Sequence, residues 1–291
     1  MRNLLLAAAL VVSGAAVAFA EPPKRIVVAG NGLTEIVYAL GAGDRVAAVD
    51  TTSLYPKRAQ ELPKVGYLRA LAAEGILSLK PDLLLVTDDA GPPAVLAQLA
   101  GAGLRVVKAR EGHSAEILAE RVRMVGAILE RGDAANVLER GLADDFATLA
   151  KALAASPARP RIVFVLSAGG GAPLAAGAET SAEAIFKLAG AVNAIDGYKG
   201  YKPLSAEALA GSGATVIVTV THSLQALGGE AAMRALPQFA GAKNMRIVAF
   251  DADYLLGFGP RTAHAARDLA AALRPNEAIA TLPERPWVAA Q

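Results

Sequence analysis

The residues with the clearest capacity for chemistry lie in one short stretch, VGYLRALAAEGILSLKPD, which covers residues 65–82. Tyr67 follows a glycine in a predicted loop, where its ring has no obvious role in a hydrophobic core, so its phenolic oxygen can serve as a ligand. Glu74 stands alone in the helix predicted after this loop, where a carboxylate can contact a partner. Both interpretations depend on the compartment and on the architecture that positions these residues.

The N-terminus predicts a secretory signal peptide. Residues 1–3 are a short cationic start, residues 4–17 are apolar or small, and residues 18–20 (AFA) form a small-x-small cleavage site. The apolar run falls short of the roughly 20 residues that cross a bilayer, and no second candidate follows. We therefore expect cleavage after Ala20 and a soluble periplasmic protein.

Composition excludes several classes of protein. Lys and Arg total 29 and Asp and Glu total 27, so the chain lacks the concentrated basic footprint of a nucleic-acid-binding protein. There is no cysteine, which excludes a disulfide framework and a lipid-modified N-terminal cysteine. Aromatic residues make up only 5% of the chain, so an exposed aromatic side chain is especially informative.

Strands and helices alternate along most of the chain, which favours parallel, doubly wound sheets. In the first half the patterns predict strands at residues 25–29, 45–49, 83–87 and 104–107, and helices at residues 34–40, 72–79 and 93–100. A helical region then runs from residue 114 to about residue 156, with a break where Asp133 can cap the second helix. Alternation resumes with a strand at residues 161–166.

The second long helix predicts a connector between two α/β lobes. Apolar residues recur along it at helical spacing, as expected for a packed stripe: Val137, Leu138, Leu142, Phe146, Leu149 and Leu153. We predict an α/β protein with two Rossmann-like lobes and mainly parallel sheets joined by this helix. The predicted division is a signal peptide at residues 1–20, a first lobe at 21–132, the interlobe helix at 133–156 and a second lobe at 157–291.

Two internal repeats support the two lobes. EIVYALGA at residues 35–42 recurs loosely as AIFKLAGA at residues 184–191, and AEGILSLKPDLLLVT at 73–87 recurs as AEALAGSGATVIVTV at 206–220. Each copy of the second repeat places Ala-Glu and a helical segment before a buried strand. Duplicated lobes imply a cleft between them, which is a common place for a ligand.

With these residues in view, the chain resembles the helical-backbone class of substrate-binding proteins that feed ATP-driven importers of haem, cobalamin and ferric siderophores, and most closely the haem-binding members. The resemblance spans nearly the whole mature chain and is carried by residues 34–41 (TEIVYALG), 65–85 (VGYLRALAAEGILSLKPDLLL), 165–177 (VLSAGGGAPLAAG), 200–209 (GYKPLSAEAL), 223–229 (SLQALGG) and 255–261 (LLGFGPR).

The resemblance implies that Tyr67 is the axial ligand of haem iron. Ferric iron favours oxygen ligands, and a phenolate is a known haem ligand, although coordination or a neighbouring cation must favour the ionised phenol at neutral pH. The alternative is an ordinary, partly buried loop tyrosine. In some relatives a histidine in the loop at Ala168 is a second ligand; alanine cannot coordinate, so we expect a five-coordinate site.

Other site residues follow from the same resemblance. His222 falls near an arginine that in relatives hydrogen-bonds the ligand tyrosine, and it could donate to the phenolate, coordinate the opposite iron face, or be a plain loop residue. Arg69 could meet a haem propionate or the phenol, or be solvated. Tyr201, and less specifically Tyr198 and Tyr55, could flank a porphyrin. We interpret Arg261 as mainly structural.

The two glutamates of the Ala-Glu repeats have a different predicted role. The resemblance implies that Glu74 and Glu207 each dock on one subunit of an inner-membrane permease, whose ATPase drives uptake. Exposed ion pairs of this kind set orientation more than affinity. The alternative is that each acid is simply favoured by the dipole at its helix N-terminus. We expect a monomer that contacts the membrane only through this importer.

Three competing functions remain. A ferric-siderophore or cobalamin receptor would keep the fold and the docking acids without needing Tyr67 on iron. A metal-ion receptor would need several convergent ligands, yet the histidines are only His113, His222 and His264. An enzyme is disfavoured because there is no cysteine nucleophile, dinucleotide fingerprint or P-loop pattern.

Overall fold

Two open α/β lobes make up the protein. The structure is a computed structural model that describes residues 21–167 and 172–289. In the first lobe four parallel strands lie in the order β2-β1-β3-β4. Their bounds are β1 Ile26–Ala29, β2 Val46–Val49, β3 Leu83–Thr87 and β4 Arg105–Ala109. The first-lobe helices are α1 Asn31–Ala39, α2 Lys57–Gln60, α3 Ala73–Ser78, α4 Pro93–Gly101 and α5 Ala115–Ile128, and a 3₁₀ turn covers Gly43–Arg45.

The two central strands of the first sheet are apolar on both faces because both faces are covered. All residues of β1 and β3 are buried. Side chains of Val28 and Leu85 pack on the side that contains α1 and α5, while those of Val27 and Leu84 pack on the opposite side with Ile76 of α3. Continuous apolar runs are the sequence signal of such buried parallel strands.

A second, mixed sheet forms the other lobe. Its path is β10-β9-β5-β6-β8, with β7 paired to β5; β6 and β8 run antiparallel to their neighbours. The strands are β5 Arg161–Leu166, β6 Leu174–Ala176, β7 Val192–Asn193, β8 Tyr201–Pro203, β9 Val216–Val220 and β10 Arg246–Phe250. The helices are α7 Ser181–Leu188, α8 Ala206–Gly211, α9 Thr221–Ala226, α10 Glu230–Ala235, α11 Ala252–Leu256 and α12 Thr262–Leu273, and a 3₁₀ turn covers Pro237–Phe239.

The predicted repeat is visible in the topology. Strands β1, β3 and β4 are adjacent in that order in one sheet, as are β5, β9 and β10 in the other. Helix α3 precedes β3 as α8 precedes β9, so each Ala-Glu repeat begins a six-residue helix. The predicted fold class, two α/β lobes with mainly parallel sheets, is confirmed.

Helix α6, Gly132–Ala154, joins the lobes by packing in both cores. Leu138 and Leu142 belong to the core cluster of the first lobe, Leu149 and Leu153 belong to that of the second, and Phe146 packs against both. A single amphipathic face therefore fixes the orientation of the helix relative to both sheets.

Two local predictions about α6 are wrong. Val137 is 55% exposed, because it lies just outside the buried stripe of the helix. Asp133 does not cap the helix: the cap position is Arg131, no side-chain bond is made there, and Asp133 lies in the first turn, where its charge still suits the helix dipole.

The C-terminal segment returns to the first lobe. Trp287 packs in the first-lobe core beside Leu138 and Leu142, and Nη2 of Arg285 forms an ion pair with the buried Asp145 of α6 at 2.7 Å. The predicted division of the chain into lobes stays a prediction. Residues near the C-terminus of the chain contact both lobes. Among the described residues, no helix is both long and apolar enough to cross a membrane.

Candidate ligand cleft

A cleft of about 690 Å³ lies between the lobes. The first lobe contributes Tyr67, Arg69 and His113 to its walls, and the second contributes His222 and Phe258. The volume falls in the range of sites that enclose one medium-sized ligand. The structure therefore brings together three of the predicted site residues, Tyr67, Arg69 and His222, from two lobes.

Tyr67 projects from a tight loop after β2. Gly66 has a φ of 95°, a left-handed conformation that glycine adopts without strain, and the N–H of Ala70 donates to the carbonyl of Tyr67 at 2.7 Å. This turn leaves the Tyr67 side chain 42% exposed, among the few exposed large hydrophobic side chains in the described residues. A phenolic oxygen on the cleft wall is thus accessible to a ligand.

Arg69 contacts the phenolic oxygen directly. Its Nη1 donates to the Oη of Tyr67 at 2.6 Å, and its Nη2 forms an ion pair with Asp89. A guanidinium is always charged, so Arg69 places a fixed positive charge beside the phenolic oxygen. Of the alternatives for Arg69, the structure shows the contact with the phenol.

The remaining predicted side chains lie in different places. His222 is exposed in the first turn of α9 on the second-lobe wall. Tyr201 is not part of the cleft lining but hydrogen-bonds Ser181, which is, and its ring centroid lies 6.3 Å from that of Phe164. Burial raises the pKa of Tyr201, while the hydrogen bond with Ser181 and the charge of Arg69 oppose that rise. Ala168 lies outside the described residues.

Two of the more weakly indicated tyrosines have other partners. The hydroxyl of Tyr198 donates to the carbonyl of Ala175 at 2.9 Å, and that of Tyr55 donates to the carbonyl of Ala289 at 2.8 Å. Neither residue is part of the cleft lining.

Sequence reasoning missed a polar cluster on the first-lobe wall. Nε2 of His113 lies 3.4 Å from Oε1 of Glu111, whose other oxygen pairs with the buried Arg121 at 3.1 Å. Burial lowers the pKa of His113, helped by the charge of Arg121, and burial together with the charge of Asp89 raises the pKa of Glu111. Asp89 follows β3, and Glu111 and His113 follow β4. The rule that ligands bind at the carboxyl ends of parallel strands is the signal that could have found them.

His113 also reaches the second lobe. Its ring meets that of Phe258 edge to face at a centroid distance of 4.9 Å. Among the described residues, however, no group of three or more His, Cys, Asp or Glu side chains could hold a metal ion. His264 lies elsewhere, with its Nε2 3.1 Å from the carbonyl of Pro283.

A buried ion pair joins the lobes beneath the cleft. Nη2 of Arg261 contacts Oε1 of Glu35 at 2.7 Å, and its Nε donates to Oε2 at 3.1 Å. The guanidinium also stacks 3.5 Å from the ring centroid of Tyr55. The structural role predicted for Arg261 is therefore to hold α1 of the first lobe against the second lobe.

Comparison with known proteins identifies the family. The family model described as periplasmic binding protein matches residues 26–254, which is most of the chain. The chain belongs to the periplasmic binding protein family. This confirms the prediction of an extracytoplasmic binding protein rather than an enzyme.

Three similar proteins show how the chain is related to known ones. The haem-binding protein BhuT, solved with two haems, is 42% identical with a TM-score of 0.81, over 87% of this chain and 98% of that chain. The vitamin B12-binding protein BtuF of Vibrio cholerae is 28% identical with a TM-score of 0.71, over 87% and 98% of the two chains. YvrC, an uncharacterised ABC transporter substrate-binding lipoprotein of Bacillus subtilis (strain 168), is 27% identical over 88% of this chain and 82% of its own length.

The two glutamates of the Ala-Glu repeats are both exposed. Glu74 and Glu207 are each the second residue of their helices, α3 and α8. The pKa of Glu207 is lowered by its own backbone N–H and by the hydroxyl of Ser205. The two acids therefore occupy equivalent positions, one on each lobe.

A second interlobe contact joins Asp253 to Leu54. Oδ2 of Asp253 accepts from the N–H of Leu54 at 3.0 Å. Burial raises the pKa of Asp253 from 3.8 to about 7; the Leu54 bond opposes the rise, and the charges of Asp251 and Glu35 add to it.

We expect Asp253→Asn to stabilise the protein at alkaline pH. Between pH ~4 and ~7 the unfolded chain has released the Asp253 proton while the folded chain keeps it. The free energy of unfolding therefore falls as pH rises, and above pH 7 it is about 4 kcal/mol lower than at acidic pH. Asparagine keeps an oxygen for the Leu54 N–H without the charge. Urea unfolding should show a gain of a few kcal/mol at pH 8 and little at pH 4. The exposed control Asp44→Asn should show neither, and a gain independent of pH would contradict this account.

Proposed function

We propose that this protein binds one ferric haem in the interlobe cleft, through Tyr67 as axial phenolate, and delivers it to an inner-membrane ABC importer. The observation that carries the proposal is the pair formed by an exposed Tyr67 and the Arg69 guanidinium 2.6 Å from its oxygen. Ferric iron favours oxygen ligands, and an exposed phenol beside a fixed cation offers one, whereas a receptor that binds its cargo only through stacking or hydrogen bonds needs no such pair.

The rest of the cleft suits a flat, largely apolar ring with an acidic edge. Apolar side chains line both walls: Leu33, Leu68, Leu166, Leu256 and Phe258. The cleft lining also contains the cations Arg69 and Arg121, whose positive charge favours a ligand with acidic groups. In this proposal Tyr201 flanks the ring from the margin, and His222 faces the haem from the opposite lobe as a hydrogen-bond donor, leaving the iron five-coordinate.

The comparisons support haem more than cobalamin. The haem-binding relative is 42% identical, against 28% for the vitamin B12-binding one, over the same share of this chain. The vitamin B12-binding relative nevertheless keeps a cobalamin or ferric-siderophore receptor as the second candidate.

Ligand titration tests the proposal. Purified protein is titrated in parallel with hemin, cyanocobalamin and a ferric siderophore, with absorption spectra and tryptophan fluorescence as readouts. We expect saturable binding of hemin with a high-spin tyrosinate spectrum and weak or no binding of the other two. Saturable binding of cobalamin or the siderophore with no hemin signal would replace the proposal by the second candidate.

We further propose that Glu74 and Glu207 dock the loaded protein on the two permease subunits. The support is their exposure and their equivalent positions on the two lobes. A two-lobed protein that spans a pair of membrane subunits needs one contact on each lobe, and exposed charges orient such an encounter.

The double variant Glu74→Ala/Glu207→Ala should uncouple binding from delivery. We expect hemin binding to be unchanged and stimulation of the importer's ATPase in proteoliposomes to fall about tenfold or more, because each ion pair contributes to a transient interface. Asp133→Ala is the matched control, since Asp133 is also an exposed acid in a first helical turn. Loss of hemin binding in the double variant would show instead that these acids support the fold.

Delivery of this kind places the mature protein in the periplasm. The proposed signal peptide, removed after Ala20, and the cleavage site lie outside the described residues. We propose that the mature chain acts as a monomer with lobes at 21–132 and 157–291 joined by the helix predicted at 133–156.

A further inference from the structure

The side chain that positions Arg69 is Asp89, in the turn after β3. Oδ2 of Asp89 pairs with Nη2 of Arg69, and its Oδ1 accepts from the hydroxyl of Thr87 at 2.5 Å. Thr87 is buried at the end of β3. The carboxylate therefore links the buried end of β3 to the Arg69 side chain, which is 55% exposed.

The backbone holds the two loops together independently of these side chains. The N–H of Leu71 donates to the carbonyl of Gly91 at 2.9 Å, and the N–H of Gly91 donates to the carbonyl of Leu68 at 2.9 Å. The loop that carries Tyr67 and Arg69 is thus joined to the turn that carries Asp89. These backbone hydrogen bonds hold the backbones of Arg69 and Asp89 at a fixed separation, so their pairing does not depend on flexible side chains alone.

We propose that Asp89 is a positioning residue for haem ligation: it holds Arg69 in the one orientation in which Nη1 donates to the phenolic oxygen of Tyr67. An exposed arginine has many rotamers, and fixing one of them costs side-chain entropy when no second contact holds it. Asp89 occupies one end of the guanidinium fork and leaves the other end for the phenolate. The inference rests on the proposed function of Tyr67 and adds to it the residue that keeps the donor in place.

Asp89 could act on ligation through its negative charge or by positioning Arg69. The two roles predict opposite shifts in the pH at which ligation is lost, so they can be separated. The negative charge of Asp89 disfavours a nearby phenolate, and it also acts on Glu111, His113 and Arg121. Removing that charge without moving Arg69 should favour ligation at lower pH. Releasing Arg69 should favour the neutral phenol and raise the pH at which ligation is lost.

The experiment measures the pH midpoint at which the tyrosinate–iron spectrum of the hemin complex is lost on acidification. Asp89→Ala and Arg69→Ala should each raise this midpoint by roughly one unit or more. The midpoint of the double variant should be no higher than that of Arg69→Ala alone, because Asp89 acts through Arg69 and its own charge disfavours the phenolate. Asp89→Asn, which keeps an oxygen acceptor for Arg69, should leave the midpoint unchanged or lower it.

Two controls complete the test. Glu111→Gln removes a neighbouring negative charge without touching Arg69 and should not raise the midpoint. A midpoint that falls or stays constant in Asp89→Ala, or that shifts additively in the double variant, overturns the inference. Failure of the proposed function is distinguished by Tyr67→Phe: if that variant keeps the wild-type spectrum, Tyr67 is not the ligand, whatever Asp89 does. Circular dichroism of each apo variant confirms that it is folded.

Discussion

Tyr67→Phe is expected to abolish the tyrosinate spectrum of the hemin complex and to weaken hemin binding. The substitution removes only the hydroxyl of a side chain that is 42% exposed, so the fold should be unaffected. Loss of a group that merely supports a metal ligand typically costs ~10–100-fold in affinity, and loss of the ligand itself should cost at least that much. Absorption spectra and competition with apomyoglobin measure the two effects.

The matched control is Tyr201→Phe. That tyrosine lies at the cleft margin with its ring against Phe164, so the variant should keep the spectrum and change affinity only slightly. If Tyr67→Phe kept the wild-type spectrum, the ligand would have to be another residue, and His222 would be the first to test. If both variants lost the spectrum, the effect would lie in the shape of the cleft rather than in coordination.

Arg261→Ala is expected to lower the free energy of unfolding by about 3–5 kcal/mol, because it leaves the buried carboxylate of Glu35 without a partner. Both members of the pair are almost fully buried, and Arg261 also stacks on Tyr55. Burial raises the pKa of Glu35, and Arg261 opposes that rise. Urea unfolding at pH 7 measures the loss.

Two comparisons isolate the buried charge. Arg110→Ala removes one member of an exposed pair, Arg110–Glu120, in which the side chains are 63% and 47% exposed, and should cost less than about 1 kcal/mol. Adding Glu35→Gln to Arg261→Ala should recover part of the stability by neutralising the unpaired acid. An Arg261→Ala protein as stable as the Arg110→Ala control would mean that water or movement of the lobes satisfies Glu35.

Much of the fold could be predicted because its signals are local. Strands β3 and β5 fall at the predicted residues, 83–87 and 161–166, since continuous apolar runs mark strands buried on both faces. Helix ends were less accurate: α1 begins at Asn31 rather than at residue 34. Val137 was wrongly predicted to be buried, because helical spacing defines the edge of an apolar stripe only to within about one residue.

The sequence by itself determined the chemical candidates, while their proposed division between cargo and partner came from the family resemblance. Residue type, spacing and internal duplication are visible in the linear sequence. They are enough to find Tyr67 in its glycine-preceded loop and one glutamate in each repeat. Only the tertiary structure decided which groups surround them. Arg261 meets Glu35 across 226 positions, His113 meets Phe258 across the cleft, and Asp89 reaches Arg69 because two backbone hydrogen bonds join their loops. Side-chain contacts of this kind depend on how helices and sheets pack against each other. Hydrophobic periodicity specifies which face of an element is buried, but it does not specify which polar groups meet at the edge of that face.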